Sequence, residues 1–120
     1  MIIACDFDGT LVHSAWPEIG ELVPTALETL RQWHHAGHHI IIWTCRTGKE
    51  LEACEQWLIA NGVPYDAINC NLPERVAFYG GSGTRKVSAD LYIDDRAPSD
   101  PVELWRMARE RVTQMCVEPP

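Results

Sequence analysis

Ile2-Ile3-Ala4-Cys5-Asp6-Phe7-Asp8-Gly9-Thr10 runs from a short apolar stretch straight into two carboxylates. A run of this kind predicts a strand buried on both faces. Three more segments have the same character. His39-Ile40-Ile41-Ile42-Trp43 is β-branched and ends in Thr44, Ala67-Ile68-Asn69 is shorter, and Leu91-Tyr92-Ile93 ends in Asp94-Asp95. Between the first two lies a helical pattern over residues 24–36. Val23, Leu27, Leu30 and Trp33, with Ala26, recur at helical spacing, Pro24 suits a first turn and Gly37 the position past the end. Thr47-Gly48-Lys49-Glu50 matches a capping box, and Leu51, Cys54, Trp57 and Leu58 supply an apolar stripe that Asn61-Gly62 and Pro64 stop. Asp100-Pro101-Val102-Glu103 opens a last helix. Residues 71–85 are polar and end in Gly80-Gly81-Ser82-Gly83, which predicts a flexible loop. Residues 112–117 read as a fifth strand or a tail.

Strands alternating with helices predict an α/β fold: an open, mainly parallel sheet covered on both faces, in three layers. The 120 residues suit one domain spanning 1–120. The net charge of −7 disfavours nucleic acid and anionic membrane as partners, and the apolar runs are too short to span a bilayer. No targeting segment fits the start of the chain. Five cysteines, an odd number with no CxxC pair, predict buried free thiols and a reducing, cytoplasmic setting.

In a parallel sheet, ligands bind beyond the carboxyl ends of the strands. Asp6, Asp8, Thr44, Asp94 and Asp95 therefore crowd one edge, with Lys86 just before the fourth strand. At an effective dielectric near 20, one like-charge pair ~4 Å apart costs about 4 kcal/mol. A single Lys cannot offset several such pairs, so a carboxyl is protonated or a divalent cation sits among them. Oxygen ligands without Cys or His point to Mg²⁺. Mg²⁺, a Lys and a Thr hydroxyl make a phosphate receptor, and a carboxylate beside it can act as a nucleophile.

Asp6-x-Asp8-x-Thr10, Thr44, Lys86 and Asp94-Asp95 resemble, in order and spacing, the four motifs of the haloacid dehalogenase (HAD) superfamily. The resemblance spans about residues 2–96 and implies a Rossmann-like hydrolase core. Asp6 would be the nucleophile carrying an aspartyl-phosphate, and Asp8 the acid and then the base. Thr44 and Lys86 would hold the phosphoryl group. Asp6, the backbone carbonyl of Asp8 and Asp94 would hold Mg²⁺, with Asp95 a further metal residue acting through water or orienting the other ligands. Gly9, Thr10, His13, Trp16 and Arg46 are substrate-side candidates, Glu18 lies in the same loop, and Arg46 can alternatively pair with Glu50. Residues 9–43 and 45–85 are each too short for a folded cap, since compact domains seldom run below about 50 residues. The implied activity is Mg²⁺-dependent hydrolysis of a phosphomonoester, a small molecule or a protein-borne phosphate, in an open site. A homo-oligomer would supply cover.

Two other readings compete. A signalling receiver domain has a similar length and acidic site, but its phospho-accepting Asp follows the third strand, where this chain has Asn69. An idle binding module would use the same fold without turnover. His34, His35, His38 and His39 tempt a zinc reading, but Gly37 interrupts their helix, and His in a last turn suits the helix dipole.

Overall fold

A computed structural model describes residues 1–81, 84–98 and 100–117; Ser82 and Gly83 of the glycine-rich segment lie outside the described residues. The elements are β1 (Ile2–Asp6), β2 (Val12–Ala15), β3 (Glu18–Leu22), α1 (Pro24–His35), β4 (His39–Trp43), α2 (Gly48–Ala60), β5 (Ala67–Ile68), α3 (Pro73–Phe78), β6 (Leu91–Ile93) and α4 (Pro101–Val117). Four strands form one parallel sheet in the order β5-β4-β1-β6, while β2 and β3 make a separate antiparallel hairpin. The chain is a small α/β fold with a mainly parallel sheet, as its strand pattern predicts.

The register explains the site's location. Asp6 pairs with Trp43, so Thr44 emerges beside it, and Cys5 pairs with Ile93, so Asp94 emerges on the other side. From β1 the chain steps to β4 and β5 in one direction. It then crosses back to place β6 on the far side of β1. The order reverses between β1 and β6, the position at which open α/β sheets form a crevice.

The two faces of the sheet are unequal. Ile3, Cys5, Ile40, Ile42 and Ile93 pack with Leu30 and Trp33 of α1, Cys54 and Leu58 of α2, and Trp105 and Val112 of α4. Each buried aliphatic side chain contributes about 1.5–3 kcal/mol, so this face carries most of the hydrophobic stabilisation. Trp33 and Trp105, with ring centroids 6.1 Å apart, join α1 to α4. On the opposite face Ile2, Ala4 and Ile41 meet Leu72 and Val87. The expected third layer is there only a six-residue helix and extended chain.

Several local expectations are corrected. The segment 71–85 contains α3, which Pro73 opens and Glu74 favours in its first turn. Residues 112–117 are the last turns of α4, neither strand nor tail; Trp105, Ala108 and Val112 continue one buried stripe. Thr47 does cap α2, but its side chain makes no capping hydrogen bond; Leu51 N–H instead donates to the Thr47 carbonyl. The end of α1 follows its expectation. Gly37 has φ 96°, His38 N–H donates to Trp33 O and Gly37 N–H to His34 O, a Schellman closure. Cys5 and Cys54 are buried, whereas Cys45, Cys70 and Cys116 are exposed free thiols. No helix among the described residues is long and apolar enough to cross a membrane.

Candidate active site

The turn after β1 is tied to one carbonyl. Phe7 O accepts from the N–H groups of Thr10, Leu11 and Val12, and Gly9 N–H donates to Val12 O at 2.8 Å. Phe7 is wholly buried, edge-on to Trp57. Gly9 has φ 85°, and a Cβ there would lie 2.3 Å from Asp95 Oδ2. Only glycine meets both conditions, so it allows the Asp95 carboxylate to approach this turn.

Thr10 joins the two acidic strand ends. Its Oγ1 donates to Asp6 Oδ2 at 3.1 Å, lies 3.4 Å from Asp95 Oδ1, and accepts from Asp95 N–H at 2.9 Å. A hydroxyl carries one proton, so it serves one of these carboxylates at a time. Trp105 Nε1 of α4 donates to Thr10 O and fixes the turn from below. Thr10, expected on the substrate side, is 2% exposed, and its side chain is engaged with the two carboxylates.

Asp6, Asp94 and Asp95 each offer an oxygen within 4.8 Å of the others. No other group of three His, Cys, Asp or Glu converges in this way among the described residues. Asp94 Oδ1 also accepts from Arg96 N–H, which orients it. Burial first, then the Asp95 carboxyl and the Asp94 charge, push Asp6 up to about 7, while the Thr10 hydroxyl pulls the other way. An oxygen-only set that resists carrying its full negative charge fits a hard divalent cation. The histidines do not assemble into such a set: His38 Nδ1 lies 3.0 Å from the N-terminal amine and His39 faces Asp66.

The Asp8 side chain stands apart from this cluster. Both its oxygens accept from Arg46, Oδ2 from Nε and Oδ1 from Nη2, each at 2.8 Å. This leaves Asp8 its main-chain carbonyl as the group expected to face a cation. Arg46 was expected at substrate or on the Glu50 carboxylate; its ion pair is instead with Asp8, which corrects the Glu50 pairing. It is 1% exposed, and what it reaches on Glu50 is the carbonyl oxygen.

Thr44 Oγ1 accepts from Arg46 N–H, which leaves its O–H to donate at the sheet edge. Thr44 N–H donates to Asn69 Oδ1 at 2.8 Å. Asn69, with φ 55°, is a positioning residue the sequence reading missed. Asn tolerates the left-handed region better than most side chains, so an Asn ending a short strand was an available signal. His13 and Trp16 are exposed on the β2–β3 hairpin, around a cis Trp16–Pro17 bond. Lys86 is exposed, with Nζ 4.7 Å from the Tyr92 ring centroid; among the described residues no ion pair joins it to a carboxylate. The site therefore gathers Asp6, Asp8, Gly9, Thr10, Thr44, Arg46, Asp94 and Asp95, while Lys86 rests on an aromatic ring two residues before Asp94. Burial and the neighbouring Asp6 push the Cys5 thiol up, which keeps it an inert core group.

No family model and no curated protein matches the chain. Among solved structures, a conserved protein from Bacteroides thetaiotaomicron is 36% identical, with a TM-score of 0.76 over 100% of this chain and 98% of that one. A crystal structure of a structural-genomics target from Vibrio cholerae is 27% identical, with a TM-score of 0.52 over 95% of this chain and 94% of that one.

Proposed function

For a chain that belongs to the family of the conserved Bacteroides thetaiotaomicron protein, we propose a Mg²⁺-dependent phosphomonoester hydrolase of the HAD type. The observation that carries this reading is the convergence of Asp6, Asp94 and Asp95 at the reversal of strand order, with Thr44 on the neighbouring strand end. The order β5-β4-β1-β6 also supports a Rossmann-like core. Between β1 and α1 the described chain forms only the short hairpin β2–β3, which supports a site without a folded cap. A receiver domain fits less well, because the strand that would carry its phospho-acceptor ends next to Asn69.

Mg²⁺ held by Asp6, Asp94 and Asp95 would supply Lewis-acid stabilisation of the phosphoryl charge. The chain's own residues would do the rest. An Asp6 oxygen bonds to phosphorus as the ester P–O bond breaks, and the leaving oxygen takes a proton from the Asp8 carboxyl. Asp8, now a carboxylate, accepts a proton from water as that water's oxygen bonds to phosphorus. The Asp6–phosphorus bond breaks and inorganic phosphate leaves. Each Asp8 oxygen that accepts one hydrogen bond from Arg46 keeps a second lone pair, so the paired carboxylate is already set for the base step. The Thr44 O–H would donate to a phosphoryl oxygen. The flexible four-carbon stem of Lys86 would leave Tyr92 to reach the same charge. Trp16 and His13 would meet the leaving group. Exposed free thiols support a reducing, cytoplasmic location.

The test is hydrolysis of 4-nitrophenyl phosphate with and without Mg²⁺, by wild type and Asp6→Asn, beside thermal melts of both in Mg²⁺. Expected are Mg²⁺-dependent turnover lost in Asp6→Asn and a Mg²⁺-induced rise in melting temperature for wild type. Equal turnover by the two proteins ends the proposal.

A further inference from the structure

Arg46 is the largest fully buried side chain among the described residues, and its surroundings exceed what packing requires. A guanidinium has five N–H donors and no acceptor. Two of them hold the Asp8 oxygens. Nη2 also donates to Glu18 O at 3.0 Å, and Nη1 donates to Pro17 O at 3.2 Å and to Glu50 O at 3.5 Å. All five donors are thus used, on three separate pieces of chain: the turn after β1, the tip of the β2–β3 hairpin and the first turn of α2. The guanidinium carbon also lies over two aromatic rings, 5.5 Å from the Phe7 centroid and 5.0 Å from the Trp16 centroid. Trp16 keeps 60% of its surface exposed even while it covers Arg46.

We propose that Arg46 is a positioning residue that couples the Trp16 hairpin to Asp8, so that the surface facing the leaving group and the carboxyl that protonates it are set by one side chain. The proton-transfer half of this inference rests on the reading of Asp8 as the acid and base; the coupling itself rests on the contacts. Lys at position 46 would keep the charge but not the bidentate grip, the anchoring of the Pro17 and Glu18 carbonyls, or the guanidinium contacts with the Phe7 and Trp16 rings. Asp8 would then lose its orientation and the hairpin its tether together. Neutral packing would not produce this pair of effects, because Asp8 and the hairpin carbonyls bond to the same guanidinium.

Wild type, Arg46→Lys and Asp8→Asn are compared in two measurements. The first is kcat on phenyl phosphate, whose leaving group needs a proton, against 4-nitrophenyl phosphate, whose leaving group needs one far less. Arg46→Lys is expected to lose at least tenfold more on phenyl phosphate. General acid catalysis contributes about 10²–10⁴-fold where it operates. Equal loss on both esters, or none, overturns the positioning role. The second measurement is amide hydrogen exchange over residues 14–20, with β1 and β4 as internal reference. Exchange about tenfold faster in the hairpin, in both variants, supports the coupling. Unchanged hairpin exchange overturns it. Wild type inactive on both esters refutes the hydrolase reading, and the exchange experiment then decides the coupling alone. If Arg46→Lys loses protection throughout β1 and β4, Asp8→Asn decides it: its exchange in the hairpin either rises, which supports the coupling, or stays at the wild-type level, which overturns it.

Discussion

Replacing Asp6 by Asn should stabilise the cation-free protein, and by an amount that depends on pH. Burial together with Asp95 and Asp94 raises Asp6 from the ordinary 3.8 to about 7. Between these values the unfolded chain has released the Asp6 proton while the folded chain retains it. The folded state binds more protons, so stability falls as pH rises from about 4 to about 7 and is level above that. A rise from 3.8 to about 7 corresponds to about 4 kcal/mol at 1.36 kcal/mol per pH unit. Asp6 is only half-buried, and water screening reduces this to about 2 kcal/mol. Asn carries no charge at any pH and can still accept from the Thr10 hydroxyl. The other carboxylates titrate in both proteins and largely cancel in the difference. Urea denaturation in EDTA should therefore give equal stabilities near pH 3.5. At pH 8 Asp6→Asn should be more stable by about 2 kcal/mol, or about 6–10 °C in Tm for a chain of this size. A difference that is the same at both pH values, or that favours wild type at pH 8, would refute the account of the acidic cluster.

Thr10→Val keeps the shape of the side chain but strips the Asp95 N–H of its acceptor and Asp6 of its donor. It should cost about 2–4 kcal/mol by denaturant unfolding, whereas Thr10→Ser, which keeps the hydroxyl, should cost about 1 kcal/mol. Gly9→Ala puts a Cβ 2.3 Å from an Asp95 oxygen at a φ of 85°; it should cost about 1–3 kcal/mol of backbone strain and reduce the Mg²⁺-induced rise in Tm.

The parts of the fold that were legible in the sequence are those decided by local chemistry. β1, β4 and β6 are apolar runs bounded by polar residues, and α1 carries its own Pro start and Gly stop. The hairpin was not legible, because Ser14, Ala15, Trp16 and Pro17 show no alternation of apolar and polar side chains, and its register shifts between Val12 and Ser14. α3 was hidden by the polarity of its segment, although Leu72 and Pro73 mark its entry. The end of α4 could have been read from Trp105, Ala108 and Val112, whose spacing continues past the point where an apolar run suggested a strand. Within the site, Asp6, Thr44, Asp94 and Asp95 followed from strand ends alone. Arg46 was a candidate, but its partner was not legible, because sequence proximity favours Glu50, whereas the fold brings it Asp8 from the end of the neighbouring strand β1. Lys86 shows the same limit: its separation from the fourth strand was legible, but its resting contact with the Tyr92 ring was not.

The position of β1 has a consequence for assembly. It lies in the middle of the sheet, yet it precedes both of its partners in the chain, pairing first with residues around His39 and then with residues around Leu91. During synthesis β1 must wait, its apolar side chains uncovered, until β4 and finally β6 leave the ribosome. Parallel pairings at such long sequence separation close slowly and leave strand edges open to other chains meanwhile. The carboxylates at the end of β1 share that delay: Asp6 meets Asp94 and Asp95 only when the last strand docks. Completion of the acidic cluster and closure of the sheet are therefore one event, and a chain stalled before β6 would expose both an unpaired strand and half of a cation site.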